Sequence, residues 1–182
     1  KRIVGELEFG FLQFQPTIIA VTGTNGKKTT VTLIDSALKE DSKKSVLVGN
    51  VGVPVTSKIS DIDADTFCVT EVSSFQLESV RTFSPDYAVL LNITPDHLDR
   101  HQTFERYVSA KSNIFMHQCE CDVVVYNDDD KVIKGLVPYM KGEKIPFSAT
   151  HPVDGAYLSS GFVSWKKELS RENIFLQENS NE

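Results

Sequence analysis

The chain is short of several things, and each shortage removes a class of function. No apolar run approaches the roughly 18 residues that a membrane-spanning helix needs. The opening Lys1-Arg2-Ile3-Val4-Gly5-Glu6 has no long apolar stretch ahead of a small-residue cleavage site, so it does not read as a secretory leader. It also lacks an initiator Met, which reads as a piece of something longer. Cysteine is scarce: Cys68, Cys119 and Cys121 form no disulfide framework and leave one thiol over, so a reducing cytoplasm is the expected setting. Basic charge is short too, with 19 Lys and Arg against 25 Asp and Glu, a net of −6. That balance argues against a nucleic-acid coat or a binder of anionic membranes, which want a basic surface. There is no internal repeat and no low-complexity segment.

What is present suits a globular domain. The length of 182 residues predicts one domain, at about 150 residues each, with room for a small appendage. Hydrophobic residues make up 40% and charged residues 24%, which excludes disorder as the default. Near-continuous apolar runs predict strands over Thr17–Thr22, Ser45–Val48, Thr66–Val72, Asp86–Ile93, Asp122–Tyr126 and Lys144–Phe147. Helices are expected over Thr29–Lys39, Ser74–Thr82, Thr103–His117 and Lys131–Val137. Strand–helix alternation of this kind implies an α/β fold: an open, mostly parallel six-stranded sheet with a phosphate-binding loop. Past Ser148, Ala156–Leu158 and Phe162–Trp165 flank Ser159-Ser160-Gly161 and read as a hairpin, and Ile174–Leu176 as a further strand. The expected division is a lead-in or interdomain connector over 1–16, an α/β domain over 17–148, and a small antiparallel β appendage of the same domain over 149–182.

The sharpest signal is Val21-Thr22-Gly23-Thr24-Asn25-Gly26-Lys27-Lys28-Thr29-Thr30, between an apolar strand and a helix with spaced Val31, Leu33, Ile34, Ala37 and Leu38. Glycines let backbone N–H groups approach a polyphosphate, the helix N-terminus adds positive potential, and Lys27 offsets charge on the outer phosphates. The plainer alternative is a Gly-Asn turn linking strand to helix. One position is irregular. The residue after the loop lysine is normally Ser or Thr, whose hydroxyl ligates Mg²⁺, and here it is Lys28, whose ammonium repels a cation. Thr29 follows, but one helical step turns it about 100° away.

Polar residues gather after the carboxyl ends of successive strands: Gly49-Asn50, Glu71, Asn92 through His97, and Asn127-Asp128-Asp129-Asp130. That rim is where an open α/β sheet binds ligands, although the 127–130 run by itself reads as an ordinary polar turn. Glu71 ends a strand where phosphate-loop proteins place a carboxylate for Mg²⁺ or its water. His97 is flanked by Asp96 and Asp99, carboxylates able to fix its tautomer or share a cation; alone it reads as a loop histidine. Lys111 lies within the helical stripe Phe104, Tyr107, Val108, Ile114, Phe115. Held against apolar surface, its amine would lose basicity and react with CO₂ to give a carbamate, an anion able to bind metal. Spacing alone favours a lysine snorkelling from the stripe's edge.

Taken together, these segments resemble the Mur ligase family. The matching pieces are Thr22–Lys27, Gly49-Asn50-Val51-Gly52, Glu71-Val72-Ser73-Ser74-Phe75-Gln76-Leu77-Glu78, Leu91 to Arg100, Tyr107 to Lys111, and Val125-Tyr126-Asn127. The resemblance is dense from Thr17 to Asp130 and looser beyond. The phosphate loop is shared with folylpolyglutamate synthases, whereas the Ser-Ser-Phe-Gln-Leu-Glu run points to the members that add D-glutamate.

The resemblance implies the central ATPase domain of a ligase of peptidoglycan synthesis, and through it of cell-wall growth and division. ATP would phosphorylate the terminal carboxylate of UDP-N-acetylmuramoyl-L-alanine, and the amine of D-glutamate would attack the acyl phosphate. It implies that Gly23, Thr24, Asn25, Gly26, Lys27, Thr29, Thr30 and Asn127 hold ATP, and that Glu71 and His97 bind Mg²⁺. Lys111, as a carbamate, would support the second of two Mg²⁺ ions, and Asn50 and Ser73 would contact the muramoyl substrate. Flanking domains of the same polypeptide would bind the uridine nucleotide and the amino acid, so little or no ligase turnover is expected from this domain alone. Two other readings stay open: a folylpolyglutamate synthase-like ligase, and a non-catalytic nucleotide-binding module, motivated by Lys28 and the missing domains.

Overall fold

The structure is a computed structural model, and it describes residues 3–13, 16–50 and 53–166. Eight strands form a single sheet: β1 Thr17–Thr22, β2 Ser45–Gly49, β3 Phe67–Glu71, β4 Tyr87–Leu90, β5 Val123–Asn127, β6 Glu143–Ser148, β7 Ala156–Ser159 and β8 Phe162–Trp165. Their order across the sheet is β2-β3-β1-β4-β5-β6-β7-β8. Every pairing from β2 to β7 is parallel and only β7–β8 is antiparallel. The expected hairpin therefore exists, but β7 pairs with β6 and extends the main sheet, giving eight strands where six were expected. The candidate strand Ile174–Leu176 lies outside the described residues.

Alternation within β1 explains its unbroken apolar run. Ile18 and Ala20 join the larger core with Cys68, Ala88, Leu90 and Val124, beneath Tyr107, Ile114 and Phe115. Ile19 and Val21 face the other side, against Val31, Ile34 and Leu38. A parallel strand covered on both faces needs apolar residues at successive positions, because its side chains alternate.

The helices are α1 Glu6–Phe11, α2 Lys27–Glu40, α3 Ser74–Leu77, α4 Leu98–His101, α5 Phe104–Ser112 and α6 Lys131–Leu136, with a 3-10 helix at Val55–Asp61. Two expected helices are shorter than their patterns suggested. The one predicted to reach Thr82 stops at Leu77; beyond it the buried Glu8 carboxylate accepts the N–H groups of Arg81, Thr82 and Phe83 and the Thr82 hydroxyl. The one predicted to reach His117 ends at Ser112 and tightens into three-residue turns, Ile114 N–H to Lys111 O and Phe115 N–H to Ser112 O. Within the predicted lead-in, α1 buries Leu7 in the larger core and supplies Glu8.

The cysteine expectation is also corrected. Cys119 and Cys121 are joined by a disulfide, in a turn closed by the Asp122 N–H on Cys119 O and the Cys119 N–H on Asp122 Oδ2. A tight turn brings positions two apart into reach, which counting cysteines does not reveal. Cys68 is the remaining thiol, buried under the sheet, and burial pushes its pKa up to about 11. No helix among the described residues is long and apolar enough to cross a membrane.

Candidate functional site

β1 is flanked by β3 and β4, neither of which is its neighbour in sequence. The chain leaves β1 toward β2 on one side and later crosses to β4 on the other, a reversal that opens a crevice beyond the strand ends. Register sets the rim: Val21 lies opposite Glu71, Thr22 opposite Leu90, and Gly49 opposite Glu71. Gly49 must be glycine, since its φ is +102° and a Cβ would stand 2.3 Å from Glu71 O. That close approach lets Asn50 N–H bond Glu71 O at 2.9 Å. So the strand-end segments picked from the sequence do converge on one edge.

The glycine loop leaves β1 and enters α2 through Gly26, whose φ of +84° turns the chain into the helix. The first helical bond runs from Thr30 N–H to Gly26 O, so the preceding N–H groups have no intrahelical acceptor and supply anion-binding capacity. The loop is clasped to the segment after β4. Thr24 N–H meets Asn92 O at 2.9 Å, Asn25 N–H meets Asn92 Oδ1 at 2.8 Å, and Asn92 Nδ2 returns a bond to Asn25 O. The Thr24 hydroxyl adds bonds to Thr94 and to the Tyr107 phenol. Thr24 and Asn25 thus hold the loop's shape with the very amides expected to face phosphate, while Gly26 and the start of α2 keep theirs open. The Thr30 hydroxyl donates back to Gly26 O, and Thr29 and Lys28 are exposed.

Two lysines meet at one carbonyl. Lys27 Nζ donates to Gly23 O at 2.8 Å and to Thr24 O at 2.9 Å. Lys111 Nζ donates to the same Gly23 O at 2.8 Å and lies 4.8 Å from the Tyr107 ring centroid. Spacing favoured a snorkelling Lys111, yet the residue is 1% exposed. The helix carries it inward beneath the loop, where the stem has apolar company and the ammonium has a carbonyl. Burial, reinforced by the nearby Lys27 charge and partly opposed by Asp96, brings its pKa down from 10.5 to about 7. A substantial neutral fraction at physiological pH follows.

Glu71 is 5% exposed. Its Oε1 accepts from Asn50 Nδ2 at 2.9 Å, and its buried Oε2 has no hydrogen-bond partner among the described residues. An unpartnered buried carboxylate oxygen is costly, and a divalent cation is the kind of group it fits. His97 is exposed, caps α4 with a φ of 51°, and packs its ring 5.0 Å from Phe75 and 6.4 Å from Tyr107. Its Nε2 lies 3.5 Å from Asp96 Oδ2. Among the described residues, the only three His, Cys, Asp or Glu ligand atoms within 4.8 Å of one another are those of Cys119, Cys121 and Asp122, ahead of β5 and so at the opposite end of the strands. Neither Glu71 nor His97 belongs to such a group.

Ser73 is the N-cap of α3 and engages Gln76 in a reciprocal capping box, a structural duty that the Ser-x-x-Gln spacing could have signalled. Asn127 donates to Leu91 O at 2.9 Å and accepts from Asp129 N–H, holding the exits of β4 and β5 together. The acids after it are likewise structural. Asp130 caps α6 and takes the Ile93 N–H, and Asp129 binds Ser148, Ala149 and Thr150. Burial opposes the Asp129 charge, but those bonds and His151 prevail and hold its pKa near about 2. Sequence reasoning missed Glu8 and His101, and saw in Tyr107 an apolar stripe residue and one end of a matching segment. An Asn92–Asn25 clasp was equally invisible, since it joins loops 67 residues apart.

Residues 21–176 match the family model of the Mur ligase middle domain. This chain belongs to the Mur ligase family. Its Mur ligase relatives include the UDP-N-acetylmuramoylalanine--D-glutamate ligase of Clostridioides difficile (strain 630), 44% identical over 165 residues, which make up 90% of this chain and 37% of that one. Among solved structures, a UDP-N-acetylmuramoyl-L-alanyl-D-glutamate--2,6-diaminopimelate ligase is similar with a TM-score of 0.72 at 23% identity, covering 94% of this chain and 43% of that one. The MurF ligase of Thermotoga maritima in complex with ADP gives 0.65 at 24%, covering 87% and 39%. At those identities the two structures show the Mur ligase fold alone. The chain spans well under half the length of the curated relative it matches.

Proposed function

We propose that this chain is the nucleotide-binding middle domain of an ATP-dependent ligase joining D-glutamate to UDP-N-acetylmuramoyl-L-alanine. One observation carries the reading: Lys27 and Lys111 converge on Gly23 O at the head of α2, on the rim that also holds a buried carboxylate with an open oxygen. The name of the 44% identical relative supplies the substrate pair. In this reading the open N–H groups at the start of α2 bind the terminal phosphates, and Lys27 leaves the loop carbonyls to meet them. The neutral Lys111 amine attacks CO₂ and releases a proton, becoming a carbamate, so a neutral group is replaced by an anion beside the phosphates. Glu71, His97 and the Lys111 carbamate would hold Mg²⁺, which when bound offsets the repulsion between the triphosphate and the substrate carboxylate. Asn50 and Ser73 face the muramoyl substrate as its carboxylate attacks the γ-phosphorus and ADP departs. The D-glutamate amine then displaces phosphate from the acyl phosphate. Flanking domains of a longer polypeptide complete the uridine and amino-acid contacts.

Calorimetric titration of the chain with a non-hydrolysable ATP analogue, with and without Mg²⁺, tests this. Binding strengthened by Mg²⁺ is expected, and Lys27→Ala should weaken it about tenfold or more, roughly 1.4 kcal/mol. No binding in either condition rejects the proposal. Binding indifferent to Mg²⁺ favours the non-catalytic module that Lys28 suggests.

A further inference from the structure

We infer that His101 is a positioning residue that sets the orientation of His97 relative to the Glu71–Ser73 segment; this rests on the nucleotide and metal reading above. The His101 side chain is fully buried, and both ring nitrogens have oxygen neighbours. Ser74 Oγ is hydrogen-bonded to Nε2 at 2.9 Å, whereas Glu78 Oε1 lies 3.0 Å from Nδ1 without the alignment of a hydrogen bond. Ser74 and Glu78 are four residues apart, so one turn of helix presents both to the same side, where Ser74 bonds the imidazole and Glu78 lies against its other nitrogen.

The arrangement has the membership of a nucleophilic triad but not its access. Ser74 is itself buried, at 3% exposure, so no substrate reaches its hydroxyl and the group acts as a clasp. What it clasps is significant. Ser74 follows Glu71 by three residues, and His101 is one helical turn after His97 on α4. Both α3 and α4 are only four residues long, far below the length at which a helix holds itself, so tertiary contacts must fix their mutual orientation. Phe75 completes the joint, since its ring stacks on His101 at 5.3 Å and meets His97 at 5.0 Å. Tyr107, the residue that touches the glycine loop through Thr24, sets its ring edge against His101 at 5.2 Å. The glycine loop is held by its own bonds to Asn92 and Thr94 and meets the clasp through Tyr107. Loss of the clasp should therefore disturb the metal side of the site and spare the phosphate side.

The test is calorimetry of the 182-residue chain with the non-hydrolysable ATP analogue, with and without Mg²⁺, alongside thermal melting. His101→Phe keeps the ring packing and removes both nitrogens. It should reduce the Mg²⁺-dependent gain in affinity about tenfold or more, the usual effect of losing a partner that orients a ligand, while metal-free affinity is unchanged. His101→Gln, able to bridge one partner, should recover part of the gain. A His101→Phe chain that keeps the full Mg²⁺ gain overturns the inference, as does a parallel loss of both affinities together with the melting temperature. Should His101→Phe fail to melt cooperatively, Ser74→Ala combined with Glu78→Gln carries the same test with the same expected and overturning results. A wild-type chain with no Mg²⁺ gain instead rejects the metal reading, and this inference with it.

Discussion

Glu8 and Glu71 are both buried carboxylates, 4% and 5% exposed, and the protein treats them differently. Glu8 is saturated: three backbone N–H groups and the Thr82 hydroxyl converge on its two oxygens. Burial disfavours its charge, yet those bonds outweigh burial and hold its pKa below the ordinary carboxylate range. Among the described residues Glu71 has one side-chain partner, Asn50, and one oxygen without any. A fully bonded buried acid locks α1 onto the loop after α3, whereas a half-bonded one keeps capacity for something not made of protein. If Glu71 holds a cation as proposed, the number of partners, rather than depth of burial, separates scaffold from site.

The largest effect should come from breaking the saturated member. Glu8→Gln places an amide among four donors, leaves at least one of them unmatched, and should lower stability by about 3 kcal/mol in urea denaturation, with nucleotide affinity retained. Because the folded pKa of Glu8 is depressed, its contribution is present above the unfolded value near 4.5 and is lost as pH falls through the lower folded value. Glu8→Gln should flatten the stability profile in that acid range. Glu71→Gln should do the reverse, changing urea stability by less than about 1 kcal/mol while abolishing the Mg²⁺-dependent part of nucleotide binding. If Glu71→Gln proved the more destabilising of the two, the distinction between saturated and open acids would collapse.

Lys111 sharpens the same contrast on the basic side. Its folded pKa of about 7 lies below the ordinary 10.5, so between those values the unfolded chain binds the extra proton and stability rises with pH, by up to about 1.4 kcal/mol per unit. Below about pH 7 both states carry the charge and the burial penalty is fully felt. Lys111→Met should therefore be more stable than wild type near pH 6, with an advantage that shrinks as pH approaches 10. It should also lose carbamate formation, measured as ¹³CO₂ incorporation by NMR. An advantage independent of pH would show that the ammonium is not desolvated.

The sheet, the glycine loop between β1 and α2 and the gathering of polar residues at one edge were legible because they rest on local patterns: unbroken apolar runs, a Gly-rich turn before an amphipathic helix, polar residues at strand ends. Lys111 was misjudged from spacing because helical periodicity cannot say whether a stripe's lysine points to solvent or under a loop. Glu8 was invisible because its partners lie more than 70 residues away, and α3 looked longer because nothing local announces that a distant carboxylate takes its next N–H groups. The Cys119–Cys121 link escaped because it depends on a turn rather than on a count. His101 hid in plain view, one turn after the more conspicuous His97. Local order follows from local sequence, while the fate of a buried charge is decided by whichever segment the fold brings beside it.

The smallest expected effect concerns Lys28, which stands where a phosphate loop normally offers a hydroxyl to Mg²⁺. The residue is exposed, so water and salt screen its charge within about 8 to 10 Å, and its penalty on a cation at the rim is modest. Lys28→Thr restores an oxygen ligand and removes that charge. The Mg²⁺-dependent affinity for the ATP analogue should rise by a few fold, on the order of the surface-charge effects that salt erodes, with metal-free affinity slightly lower. Raising the salt should shrink the difference between the two chains if repulsion is its source, and leave it intact if the missing hydroxyl is. An unchanged Mg²⁺ response in Lys28→Thr would mean that Glu71, His97 and Lys111 suffice for the metal, which places the whole cation-binding burden on the open carboxylate side of the comparison.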